Sequence, residues 1–117
     1  ERPEITVVSD QIGTPTYAGD LAKAIVSIMD NDNRADYEGI YHFSNEGVCS
    51  WFDFAEEIVR LGKKTCKVLP VTTAEYPTKT KRPAYSVLDK TKIKRTFDLE
   101  IPDWKEALGR MMKEVRE

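Results

Sequence analysis

The side chains best suited to chemistry lie in residues 72–89, TTAEYPTKTKRPAYSVLD. Lys79, Lys81 and Arg82 gather positive charge there beside Tyr76 and Tyr85. That combination suits a ligand with both phosphate and a flat or sugar-like face. Pro77 and Pro83 exclude a long helix and push the residues before them toward extended geometry, so the segment reads as an ordered loop. A solvated basic surface loop is the plainer alternative.

Other chemical constellations fail on inspection. Asp30 and Asp32 resemble the start of a calcium loop, but Arg34 and Ala35 stand where a ligand and a glycine are required. A helix-ending turn is the better account. Glu56 and Glu57 are adjacent on a helix and point in different directions, which rules out a catalytic pair. His42 lies in an apolar segment with no serine or cysteine partner suggested, and reads as a satisfied core histidine. Cys49 and Cys66 have neither CxxC spacing nor a histidine cluster, so metal and redox chemistry are excluded. Reduced structural thiols of a cytoplasmic protein are expected.

The elements that must position the loop follow from patterning. Residues 5–9 (ITVVS) form a β-branched run, as expected of a strand internal to a sheet. Residues 10–15 (DQIGTP) form a turn, after which Thr16 caps a helix to about Asp30 with Leu21, Ala24, Ile25, Ile28 and Met29 on its buried face. The segment 31–34 ends it, and residues 40–44 (IYHFS) are a second strand candidate. Ser50 and Asp53 form a capping box for a helix carrying Phe54, Ile58 and Leu61, stopped at Gly62. Residues 67–71 (KVLPV) read as a third strand, held to an edge or strand end by Pro70. Residues 86–88 pair briefly with a neighbour, and Asp89 caps a short helix through Phe97. Pro102 opens a last helix with Trp104, Leu108, Met111 and Val115 as its core stripe.

With 117 residues, 40% hydrophobic, the chain fits one mixed α/β domain with a modest core. A net charge of −2 argues against a dedicated nucleic-acid binder, although Lys79 to Arg95 is locally basic. No apolar run approaches the roughly 20 residues needed to span a bilayer.

Four stretches, DQIGTPTYAGDLAKAI, IYHFSNEGVCSWFDFAEEI, PVTTAEYPTKTKRPAYSVLD and IPDWKEAL, resemble in order and spacing the C-terminal part of the dTDP-4-dehydrorhamnose reductase family, extended short-chain dehydrogenase/reductases. The resemblance covers nearly the whole chain. It implies a small α/β lobe, residues 1–117, that binds a nucleotide-sugar beside a Rossmann-type half, with residues 1–30 packing against that half. The implied reaction is reduction of dTDP-4-dehydro-L-rhamnose to dTDP-L-rhamnose with NADPH or NADH.

Such reductases need a glycine-rich turn for the dinucleotide and a tyrosine followed four residues later by lysine. The six glycines never fall at GxGxxG or GxxGxxG spacing, and no tyrosine has lysine at that distance. The resemblance therefore places cofactor binding and proton donation in an absent N-terminal half, and the chain alone is expected to be inactive. Within the lobe it points to Arg82, near the RP motif, as the group that approaches the substrate diphosphate. An ion pair of Arg82 with Glu75 or Asp89 is the competing account. Gln11 and Thr16 are weaker candidates for sugar or phosphate contacts, and Tyr85 for packing on sugar or base. The family resemblance extends to a homodimer around a magnesium ion held by glutamates. Glu114 matches one such position, but Gly19, beside Asp20, stands at another, so no metal is assigned. A non-catalytic binding subunit on the same scaffold is the alternative function.

Overall fold

The computed structural model describes residues 3–30 and 37–116. The segment 31–34, with Asp32 and Arg34, and Ala35 beyond it lie outside the described residues. The element order is β1 (Glu4–Val8), β2 (Ile12–Gly13), α1 (Ala18–Met29), β3 (Cys49–Ser50), α2 (Trp51–Gly62), β4 (Lys67–Val71), α3 (Thr91–Phe97) and α4 (Trp104–Arg116). The mixed α/β class agrees with the sequence reading.

Strand β1 pairs in parallel with β4, from Glu4 opposite Lys67 to Val8 opposite Val71. Its β-branched run explains the strand, but the expectation of an internal strand does not hold. Among the described residues β1 has one neighbour, and Glu4 and Thr6 are exposed. Pro70 is tolerated because β4 also pairs on one edge only. Short antiparallel pairing joins β2 to β3. The pairing expected at residues 86–88 occurs one residue earlier, where Tyr85 bridges Ile12 through the Ile12 N–H to Ala84 O and the Ser86 N–H to Ile12 O, both 2.8 Å.

Helix α2 starts as its capping box dictates: Ser50 Oγ accepts from the Asp53 N–H and Asp53 Oδ2 from the Ser50 N–H, each at 3.0 Å. Gly62 is still helical, and the left-handed residue that ends α2 is Lys63, at φ 54°. Phe54, Ile58 and Leu61 pack on Cys49, Trp104 and Leu108, with Met111 and Met112 closing the cluster. Val115 continues the stripe by spacing but is exposed, because α4 runs past its partners.

Two helix expectations need correction. Thr16 is exposed and does not cap α1; the N-cap is Tyr17, whose N–H donates to Asn45 Oδ1 at 2.7 Å. Of the expected buried face, Ala24 is buried and Ile28 half-buried, while Leu21, Ile25 and Met29 are exposed. That face has the amphipathic pattern, but the described residues cover it only in part, leaving Leu21 and Ile25 open. Residues 40–44 are not a strand: no edge faces them, and the Ile40 carbonyl instead accepts from Lys92 Nζ at 3.0 Å. His42 there is exposed, not a core histidine. Asp89 does act at the start of α3, its Oδ1 accepting from the Thr91 N–H at 2.9 Å.

The turn after that segment holds the polar centre of the lobe. Asn45 is 1% exposed and Asp20 5%. Asn45 Nδ2 donates to Asp20 Oδ2 at 2.8 Å and to Pro102 O at 3.1 Å. Arg110 binds both Asp20 oxygens at 2.8 Å and also reaches Glu106. The Glu46 backbone pairs with Pro102 O and the Trp104 N–H, both at 3.0 Å. Gly47 has φ +89°, and a Cβ there would stand 2.6 Å from Asp103 Oδ1. The Glu46 carboxylate takes Lys94 at 2.5 Å and Lys90 at 3.4 Å. With those two lysines engaged, the basic run up to Arg95 is not a free stripe.

Replacing Asn45 with Ala would leave the buried-side acceptor of the Tyr17 N–H missing and remove one of the contacts to Asp20 and to the Pro102 carbonyl, which keeps the Glu46 N–H. Leaving a buried polar group unsatisfied costs about 1–3 kcal/mol, so urea unfolding should show a loss of at least about 2 kcal/mol. An unchanged midpoint would refute the role given to Asn45. The Arg110 guanidinium holds the Asp20 carboxyl below the usual carboxylate range, outweighing the opposing effect of burial. A lowered folded-state value means stability that is complete above the unfolded value of about 3.9 and is lost as pH falls through the folded one. Asp20→Asn should flatten that acid limb in unfolding measured from pH 6 downward.

Candidate functional site

A hollow of about 300 Å³ lies where β2, the start of α2 and residues 82–86 meet. Gln11, Ile12 and Thr14 come from β2 and its flanks, Ser50, Trp51 and Phe54 from the β3–α2 junction, and Arg82, Pro83 and Ser86 from the loop. Pairing of Ile12 with both Ser50 and Tyr85 is what draws the three segments together. Gly13 lines the same hollow, and a Cβ on it would stand 2.8 Å from Ser86 Oγ.

The rim is fixed by polar contacts. Asp10 accepts from the Thr73 N–H at 2.9 Å and from its hydroxyl at 2.6 Å, bonds that hold its carboxyl below the usual range. Gln11 Nε2 donates to Thr73 Oγ1 at 3.3 Å. The loop before α1 is therefore tied to the chain leaving β4. Thr14 Oγ1 donates to Gly47 O at 2.5 Å, which links the hollow to the Asn45 turn.

The sequence candidates separate in space. Arg82 and Gln11 line one hollow. Arg82 is exposed and makes no ion pair among the described residues. Its proposed competitors act elsewhere: Glu75 accepts from the Thr72 N–H at 2.9 Å, and Asp89 serves α3. Thr16 belongs to a second, apolar hollow of about 310 Å³ with Tyr17, Trp104 and Met111. Tyr85 contributes backbone to the site through Ile12, while its side chain is exposed outside the lining.

Trp51, Ser86 and Thr14 were not singled out from sequence. Trp51 was hidden because it falls in register with Phe54, Ile58 and Leu61 and so reads as core. Cys49 also borders the hollow, but burial pushes its thiol up to about 11, too high for a nucleophile at neutral pH.

The residues present do not fit a dinucleotide or a metal. The capping box takes two N–H groups at the start of α2 and Asn45 takes the Tyr17 N–H before α1, and neither helix follows a turn with GxGxxG or GxxGxxG spacing that would admit a pyrophosphate. No cluster of three or more acidic, histidine or cysteine side chains able to hold a metal occurs among the described residues. Glu114 is engaged by Tyr17, whose hydroxyl this hydrogen bond pushes up. No helix among the described residues is long and apolar enough to cross a membrane.

Comparison with known proteins identifies the family of the chain. The family model described as RmlD substrate binding domain matches residues 1–117. The chain is similar to the spore coat polysaccharide biosynthesis protein SpsK of Bacillus subtilis, 43% identical over 97% of this chain and 38% of that protein. It is equally similar to dTDP-4-dehydrorhamnose reductase of Aggregatibacter actinomycetemcomitans, 43% identical over 92% of this chain and 39% of that protein. Among solved structures, a dTDP-4-dehydrorhamnose reductase from Bacillus anthracis in complex with NADP superposes with a TM-score of 0.88 at 40% identity, covering 97% of this chain and 39% of that one. The ortholog from Clostridium acetobutylicum gives 0.88 at 39% identity, over 99% of this chain and 40% of that one. The chain thus spans about two fifths of the length of these relatives. With a match over its full length, it belongs to the RmlD substrate binding domain family.

Proposed function

We propose that this chain is the nucleotide-sugar-binding lobe of a dTDP-4-dehydrorhamnose reductase. The observation that carries the reading is an Arg82 with no ion pair among the described residues, sharing one hollow with Gln11 and with apolar walls. A planar guanidinium matches a diphosphate through two parallel hydrogen bonds, and Gln11 adds a neutral polar contact. In the full reaction NADPH or NADH supplies the hydride to the C4 carbonyl carbon of dTDP-4-dehydro-L-rhamnose. The dinucleotide and the proton-donating tyrosine belong to an N-terminal half that relatives of greater length contain. This lobe holds the diphosphate end so that the sugar faces that half. Reductase names among the relatives favour the enzyme over a non-catalytic subunit.

The exposed Leu21 and Ile25 of α1 and the edge of β1 left open among the described residues support the reading that residues 1–30 meet the other half. A Cα radius of gyration of 16.9 Å, against about 13–14 Å for a compact domain of this length, supports a lobe built to lean on a neighbour.

Arg82→Ala in the full-length protein removes charge-assisted hydrogen bonds worth roughly 1.5–3 kcal/mol, a rise of about 10- to 150-fold in KM for the nucleotide-sugar with NADPH affinity unchanged. An unaltered KM would remove Arg82 from the site. The isolated 117-residue chain, mixed with NADPH and authentic substrate, should oxidise no NADPH above background in an absorbance assay; turnover would overturn the assignment of the chemistry to the other half.

A further inference from the structure

We infer that Trp51 is the stacking platform for the pyrimidine base of the nucleotide, resting on the reading of the Arg82 hollow as a nucleotide-sugar site. Trp51 is the first residue of α2, and its spacing places it on the same stripe as Phe54, Ile58 and Leu61. The later members of the stripe are covered by α4, whereas the first turn overhangs the core and leaves Trp51 53% exposed. The chain's other tryptophan, Trp104, is 5% exposed in the core. A large aromatic left open at the wall of a largely apolar hollow that also holds Arg82 and Gln11 is a surface for a ligand rather than for packing.

Phe54 holds the ring from behind, edge to face at 6.4 Å between centroids and 73° between planes. The capping box fixes the backbone beneath it. The platform is therefore preorganised, and little side-chain entropy remains to be lost on binding.

The occupant follows from the order of groups in the ligand. The reacting sugar must reach a dinucleotide that these residues cannot hold, so its end of the ligand faces away from the lobe. Arg82 takes the diphosphate. What remains for the apolar wall shared by Trp51, Phe54 and Pro83 is the nucleoside, whose base has a flat π-face. Base stacking on an aromatic side chain is worth about 1–3 kcal/mol, equivalent to about 5- to 150-fold in affinity.

The test uses the full-length protein, with calorimetric titration of dTDP, of the intact dTDP-sugar and of inorganic pyrophosphate. Trp51→Ala should weaken dTDP and dTDP-sugar by the same factor, at least about fivefold, and leave pyrophosphate within twofold. Trp51→Tyr, which keeps a flat ring, should restore most of the loss and guards against misfolding. If Trp51→Ala weakens the dTDP-sugar but not dTDP, the indole stacks on the sugar and the inference is wrong. If Arg82→Ala weakens dTDP while Trp51→Ala does not, the site stands and the stacking role falls. If neither variant affects any of the three probes, the site reading itself fails.

Discussion

One side chain amide ties the start of α1, the 43–47 turn and the approach to α4 together. Asn45 uses its carbonyl oxygen to take the first N–H of α1, and its amide nitrogen to reach the Asp20 carboxylate and the carbonyl that precedes α4. Asp20 is then clamped from the other side by the Arg110 fork. Desolvating a carboxylate is unfavourable unless every lone pair is occupied, and here Asn45 and Arg110 occupy them. The result is a mechanical joint between α1, the 43–47 turn and α4. It fixes the Glu46 turn against Trp104 and, through Thr14 and Gly47, one wall of the hollow that Arg82 and Gln11 line.

The local rules were legible where a single segment decides its own conformation. The Ser50 and Asp53 pair, the KVLPV strand and the Pro102 opening of α4 each carry their instructions within a few residues. Failures came where a partner decides. Residues 40–44 have strand composition, but a strand needs an edge, and the Ile40 carbonyl accepts from Lys92 while Ser44 Oγ donates to Asn45 O. Thr16 is a good cap residue by type, yet Asn45, distant in sequence, takes the N–H of Tyr17. The buried face predicted for α1 is correct as a pattern and open as a surface, since amphipathicity reports that a face is to be covered and not what covers it.

The same split applies to the site. Arg82 and Gln11 were singled out from residue type and from resemblance, because an RP dipeptide in a basic loop and a polar residue before a glycine turn stand out. Their convergence on one hollow depends on Ile12 pairing with two different segments, and no local pattern encodes that. Thr16 and Tyr85 are close in sequence to residues that line this hollow, but Thr16 borders the second hollow and Tyr85 neither. Trp51 escaped because periodicity cannot distinguish the covered part of a helix stripe from the part that overhangs.

The parallel union of β1 with β4 has a kinetic side. Ser9 and Val71, joined at its end, lie 62 positions apart along the chain. Closing a loop of that length carries an entropic cost on the order of 4 kcal/mol beyond a constant before any ladder bond forms. The helix α2 and its cap need only neighbours a few residues away. Such long-separation pairing slows barrier crossing, so strand union is the late event in assembly and the helical part its early scaffold.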